Sequence, residues 1–178
     1  MTVFETECLA IVHSLLTRLF TPSASKLTTS HPDFEQPKGV FVTLKKNGLL
    51  RGCIGQMTSS RPLKETLARM VRAAAFDDPR FPPLQENELS LITFSVTLLD
   101  PLVPYVPSQF EWGIHGFWVE NARTSGVLLP QVAVENEWTQ HEFLHHTFQK
   151  ADIEDHEIDT AKVMMFRAVE LTSTEYMR

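Results

Sequence analysis

Cysteine is scarce in this chain: Cys8 and Cys53 are the only two among 178 residues. Two thiols are too few to hold a zinc ion by themselves, and no metal site is expected from them. The opening residues, Met1 to Cys8, carry acids where an export signal would carry a basic region, so reduced thiols and a cytoplasmic location are expected. No run of lysine or arginine appears, and the net charge is −6, which disfavours a nucleic-acid partner because such proteins present a basic face. Also missing is any apolar stretch approaching the roughly 18 residues of a membrane-spanning helix. A phosphate-cradling glycine loop is absent too, so no nucleotide cofactor is expected, and there is no repeat or low-complexity tract.

What is present is ordinary for a globular protein, with 43% hydrophobic and 21% charged residues, enough for one domain spanning residues 1–178. Phe4, Cys8, Ile11, Val12, Leu15, Leu16 and Leu19 recur at helical spacing and predict an amphipathic helix with Cys8 on its inner stripe. Thr21-Pro22-Ser23 would end it, with a polar loop over residues 25–37. Strands are predicted at 39–44 and 49–54, joined by a tight turn at Lys46-Asn47-Gly48, whose Asn and Gly tolerate positive φ. A second helix follows Ser60-Arg61-Pro62, with Leu63, Leu67, Met70, Val71 and Ala74 on one face, and Asp77-Asp78-Pro79 stops it.

Residues 90–99 alternate as a strand. Pro101, Pro104 and Pro107 fall three apart, as in a stiff extended connector near 100–112 or a ligand for a proline-binding module. Strands at 113–120 and 126–129, a capping box of Thr139 and Glu142 opening a helix to about 151, and a strand at 164–171 complete the chain. This order predicts an α+β fold, a mainly antiparallel sheet packed with helices, in two unequal lobes of one compact unit.

The loop Arg51-Gly52-Cys53-Ile54-Gly55 carries the main candidate chemistry. Its glycines let a backbone turn sharply or a ligand approach closely. Arg51, two residues from Cys53 and on the same side of a strand, would favour the thiolate; the alternative is a buried thiol with Arg51 in a structural ion pair. Asp78 and Arg80 follow the second helix, where Arg80 would either grip an anion or pair locally with an acid. His115, between glycines at Gly113-Ile114-His115-Gly116, is the candidate acid or base. His141-Glu142-Phe143-Leu144-His145 matches the helical zinc-protease pattern, but Glu142 also belongs to the capping box and His141 falls in the frayed first turn.

Taken together, Gly39 to Leu44, Leu50 to Gly55, Ala74 to Phe81, Ser95 to Leu98, Gly113 to Gly116 and Leu128 to Val132 resemble, in order, the AMMECR-one domain family, over about three quarters of the chain. The resemblance implies a compact two-lobed α+β fold with a cleft near the Arg-Gly-Cys-Ile-Gly signature. It also implies a Memo-like protein and a radical-SAM enzyme as partners. By motif it marks Arg51, Gly52, Cys53, Gly55, Asp78, Arg80, His115, Pro130 and Gln131. Phe148 and Asp152 stand where the family more often shows a cysteine and a glycine, and His141 and His145 lie outside its signature. The expected function is an enzyme or enzyme component using Cys53, Arg51 and His115 on a small or peptide-borne anionic substrate. Gly52, Gly55, Asp78, Arg80, Pro130 and Gln131 would bind that substrate. The rivals are a partner-docking module and, through His141, Glu142 and His145, a zinc hydrolase.

Overall fold

The computed structural model describes residues 1–21 and 28–176, the side chains of residues 175 and 176 excepted. The expected helix stop at Pro22 and Ser23 and the first part of the polar loop lie outside the described residues. The chain divides into two compact units, one comprising Met1–Leu98 with Glu170–Arg178, the other Leu99–Val169. The class is α+β, and every strand ladder with a defined register is antiparallel.

The first unit opens with helix α1, Val3–Thr17, started by a capping box of Thr2 and Glu5. Its buried stripe is Cys8, Leu9, Ile11, Val12 and Leu16. Strands β1, Gly39–Lys46, and β2, Leu49–Gln56, form a hairpin whose turn residues Asn47 and Gly48 have φ of 51° and 81°, as their types allow. The ladder slips by one residue: Lys45 faces Leu50 but Leu44 faces Gly52, so Arg51 bulges out as an unpaired residue. Helix α2, Leu63–Phe76, packs on both strands through Leu63, Leu67, Met70, Val71 and Ala74. It ends at Asp77, where Asp78-Pro79 forbids another turn.

Residues expected to begin the next strand instead form a 3-10 turn, Glu86–Leu91, and β3 runs Ile92–Leu99 beside β1. Ser95 and Thr97 are buried along with Phe94 and Val96, so β3 is covered on both faces. A terminal helix α5, Ser173–Tyr176, returns to α1, and Ser173 Oγ accepts the Phe94 N–H at 3.0 Å.

In the second unit the proline-spaced stretch contains β4, Val103–Pro104, and a 3-10 turn at Pro107–Gln109. Strand β5, His115–Glu120, pairs on one side with β6, Ser125–Leu128, and on the other with β7, Lys162–Thr172, which also pairs β4. Helix α3, Pro130–Glu135, has no counterpart among the predicted elements and carries Pro130 in its first position, as suits a residue lacking an N–H. Helix α4, Gln140–Lys150, starts at the expected capping box and packs on β5 and β6. Phe117, Phe143 and Met165 centre one core cluster, and Val119, Phe148 and Ile153 another.

Candidate functional site

The signature lies on the expected returning strand, which runs on to Gln56. Arg51 to Gly55 lie wholly within β2, and beyond the bulge, from Gly52 onward, their side chains alternate between two faces. Ile54 faces Val42 and joins the core with α2, whereas Cys53 faces Thr43 on the outer side. Neither glycine makes a turn. A side chain at Gly52 would collide with the carbonyl oxygen of Ala74 in α2, and one at Gly55 with the ring of Phe41. The close approach that the glycines permit is therefore made by the chain's own helix and ring.

Cys53 is half-buried, and its Sγ lies 3.2 Å from Thr43 Oγ1. Its backbone is held by the loop after α2. Asp78 Oδ2 accepts the Cys53 N–H at 2.8 Å, and Arg80 Nη2 donates to the Cys53 carbonyl at 3.1 Å. Arg80 reaches back to the same carboxylate through Nε and Nη2, at 2.9 and 2.7 Å, and Asp78 Oδ1 also accepts the Arg80 N–H. Asp78 is buried, and these donors, Arg80 first, hold its carboxyl well below the usual range. The Arg80 pKa is raised by hydrogen bonding to Asp78, against the cost of burial, and further by the Asp78 charge. Arg80 thus supplies the positive charge beside the sulfur, with its side chain 55% exposed.

Arg51 is engaged elsewhere. Its Nε and Nη2 donate to the two Glu88 oxygens at 3.1 and 2.9 Å, and Nη1 and Nη2 to the carbonyls of Pro82 and Pro83. Glu88 also takes Lys46 Nζ at 2.9 Å and the Gln85 N–H. The Arg51 hydrogen bonds first, then Gln85 and Lys46, pull its carboxyl down to about 2.

A family model described as AMMECR1 matches residues 9–171. The chain belongs to the AMMECR1 family. A relative from Methanosarcina mazei is 41% identical over 138 residues, covering 74% of this chain and 69% of the relative. Another, from Methanothermobacter thermautotrophicus, is 43% identical over 136 residues, with 72% and 71% covered. The crystal structure of an uncharacterised protein from Pyrococcus horikoshii matches with a TM-score of 0.79 at 31% identity, covering 96% of this chain and 92% of that one.

Of the residues marked by the AMMECR1 signature, Arg51, Gly52, Cys53, Gly55, Asp78 and Arg80 all lie in the first unit, with Asp78 and Arg80 bound directly to Cys53. His115, Pro130 and Gln131 belong to the second unit. There His115 is buried, and its Nδ1 accepts the Glu111 N–H at 2.9 Å, which leaves the proton of a neutral ring on Nε2. Pro130 is buried and Gln131 half-buried at the start of α3.

The zinc-like pattern on α4 has its own local account. Glu142 accepts the Thr139 N–H and hydroxyl at 2.8 and 2.7 Å, and these bonds lower its pKa. His145 and His146 both meet Gln149, and His146 stacks on Trp138 with ring centroids 3.9 Å apart. Among the described residues no three His, Cys, Asp or Glu side chains gather as a metal site.

Sequence reasoning does not single out Thr43, Phe41 or Glu88. Thr43 and Phe41 meet the signature through ladder register, and Glu88 meets Arg51 across 37 positions. The signal for Glu88 was its acidic side chain close behind a proline-rich loop.

Proposed function

We propose that the outer face of β2 is the working site of the chain, a thiol paired with a guanidinium that takes an anionic group, small or carried on a peptide. The observation that carries this reading is the posture of Arg80. Asp78 occupies its Nε and Nη2, which fixes the plane of the guanidinium, while the hydrogen bonds of the described residues leave Nη1 unengaged in a side chain 55% exposed. A pre-set planar donor beside a sulfur suits a carboxylate or phosphate held next to a nucleophile. Cys53 would be the nucleophile or acceptor. The reading uses no residue of the second unit.

The test compares alkylation of native protein by iodoacetate, which is anionic, and by iodoacetamide, which is neutral. Cys53 should prefer iodoacetate, the preference should fall severalfold in Arg80→Gln and at high salt, and inorganic phosphate should slow the reaction. Cys8 is the internal reference: it is fully buried, and burial, with the Glu7 charge, pushes its thiol up to about 12. A Cys53 that reacts no faster than Cys8, or shows no preference for the anion, would overturn the reading.

A second reading, docking, has its own observation. Leu49 and Leu50, 76% and 43% exposed, immediately precede Arg51 on β2. A Memo-like protein or a radical-SAM enzyme is the proposed partner. Co-purification with such a partner that survives Cys53→Ala but is lost in Leu49→Glu would favour docking. Gly55→Val is the poorer probe, since it strikes Phe41 inside the fold.

A further inference from the structure

The reading of Cys53 as a nucleophile leaves open what steadies its sulfur once the proton is gone. Arg80 lies on one side. On the other, Thr43 Oγ1 stands 3.2 Å from Sγ, brought there by the cross-strand pairing of Thr43 with Cys53. With a neutral thiol either atom can donate. A thiolate has no proton to give, so the hydroxyl alone becomes the donor. The described residues offer this hydroxyl no competing partner. Thr43 is also β-branched on a strand, which restricts χ1 and keeps the hydroxyl from swinging away.

Lys45, exposed, lies two residues from Thr43 on the same side of β1. Asp78 and Arg80 come from the loop after α2 and are bound to each other; Arg51 on β2 and Lys46 on β1 are both bound to Glu88. Each carboxylate is already answered by a cation, so the sulfur faces a neutral hydroxyl and the outward side of Arg80.

We propose that Thr43 is the positioning residue of the Cys53 thiolate: its hydroxyl donates to Sγ, favours the charged form and holds the sulfur in one orientation on the outer face. The inference rests on the reading that Cys53 works as a thiolate, and it adds a residue to that site.

The experiment uses the full chain as native protein, Thr43→Val and Thr43→Ser, and follows iodoacetamide alkylation of Cys53 across pH by mass spectrometry. In that reaction the sulfur forms a bond to carbon, iodide leaves, and the thiol proton has already passed to buffer. The rate–pH profile of Thr43→Val should move upward by about one pH unit, with about tenfold slower alkylation at neutral pH, because a hydrogen bond to a charged group is lost. Thr43→Ser, which keeps the hydroxyl, should stay close to the native profile. Should the valine variant not fold, Thr43→Ala gives the same comparison. A valine or alanine profile that superimposes on the native one would overturn the proposal. Failure of the anion reading looks different: preference for iodoacetate is then absent in native protein, whatever Thr43 does to the iodoacetamide profile.

Discussion

Gly52 and Gly55 stand three residues apart on one strand, and the two sides of the hairpin they face have little in common. On the inner side β1 and β2 present Val40, Val42, Leu44 and Ile54 to α2, and Gly52 lets the helix backbone come close. On the outer side stand Phe41, Thr43 and Cys53, with Gly55 beneath the Phe41 ring. The inner position meets the backbone of a helix, the outer one the ring and Cα of the residue paired with it across the ladder. Space is therefore enforced differently at two glycines that look equivalent in the sequence.

The largest effect should come from filling the inner position. Gly52→Val drives a branched side chain into the Ala74 carbonyl, and a loss of about 3 kcal/mol or more is expected, up to failure to fold, in urea or thermal unfolding. Gly55→Ala meets the root of the Phe41 ring and the Phe41 Cα, so the ladder must open there, and about 2 to 3 kcal/mol is expected. A cost under about 1 kcal/mol for Gly55→Ala would show that the Phe41 ring and strand give way on the outer side.

Asp78→Ala should come next. It removes the acceptor of the Cys53 N–H and the carboxylate that fixes Arg80, and a loss of about 2 to 3 kcal/mol is expected, with faster hydrogen exchange at the Cys53 amide. A stability loss without faster exchange at that amide would show that Asp78 acts elsewhere.

The smallest effect belongs to Glu88, on the outer cluster. Its carboxyl is lowered from 4.5 to about 2, so its contribution is fully present above pH 4.5 and disappears as the pH falls toward 2. Glu88→Gln should cost on the order of 2 kcal/mol at neutral pH, and the gap from native protein should close in acid. Asp78, also depressed, loses its contribution in the same direction, at still lower pH. A gap that stays constant down to pH 2 would refute the Glu88 assignment.

Much of the fold is legible in the residues because its signals are local. The apolar stripe of α1, the Asn47-Gly48 turn, the face of α2 and the capping box of α4 each depend on neighbours within a turn or two. Helix α3 escapes because Pro130 to Glu135 is short and follows a strand directly. The site is legible in membership but not in wiring. Cys53, Asp78 and Arg80 are all visible as candidates, yet which arginine stands at Cys53 is decided by contacts across 25 to 37 positions. Those contacts give Arg51 to Glu88 and Arg80 to Asp78 and Cys53. Sequence proximity favoured Arg51; the turn at Pro79 brings Arg80 instead.

A strand keeps count in twos, and the bulge at Arg51 adds one to the count. Without it, the pairing of Lys45 with Leu50 would continue so that Cys53 lay opposite Val42, phased with the residues that face α2. The extra residue turns even into odd beyond that point, so the thiol stands outside and Ile54 takes the inner place. The same residues paired without the bulge would carry the cysteine on the side of the helix, sealed from solvent as Cys8 is, whereas deleting Arg51 would leave Cys53 opposite Thr43. Which side of the hairpin carries the thiol is thus decided by the parity of a single ladder.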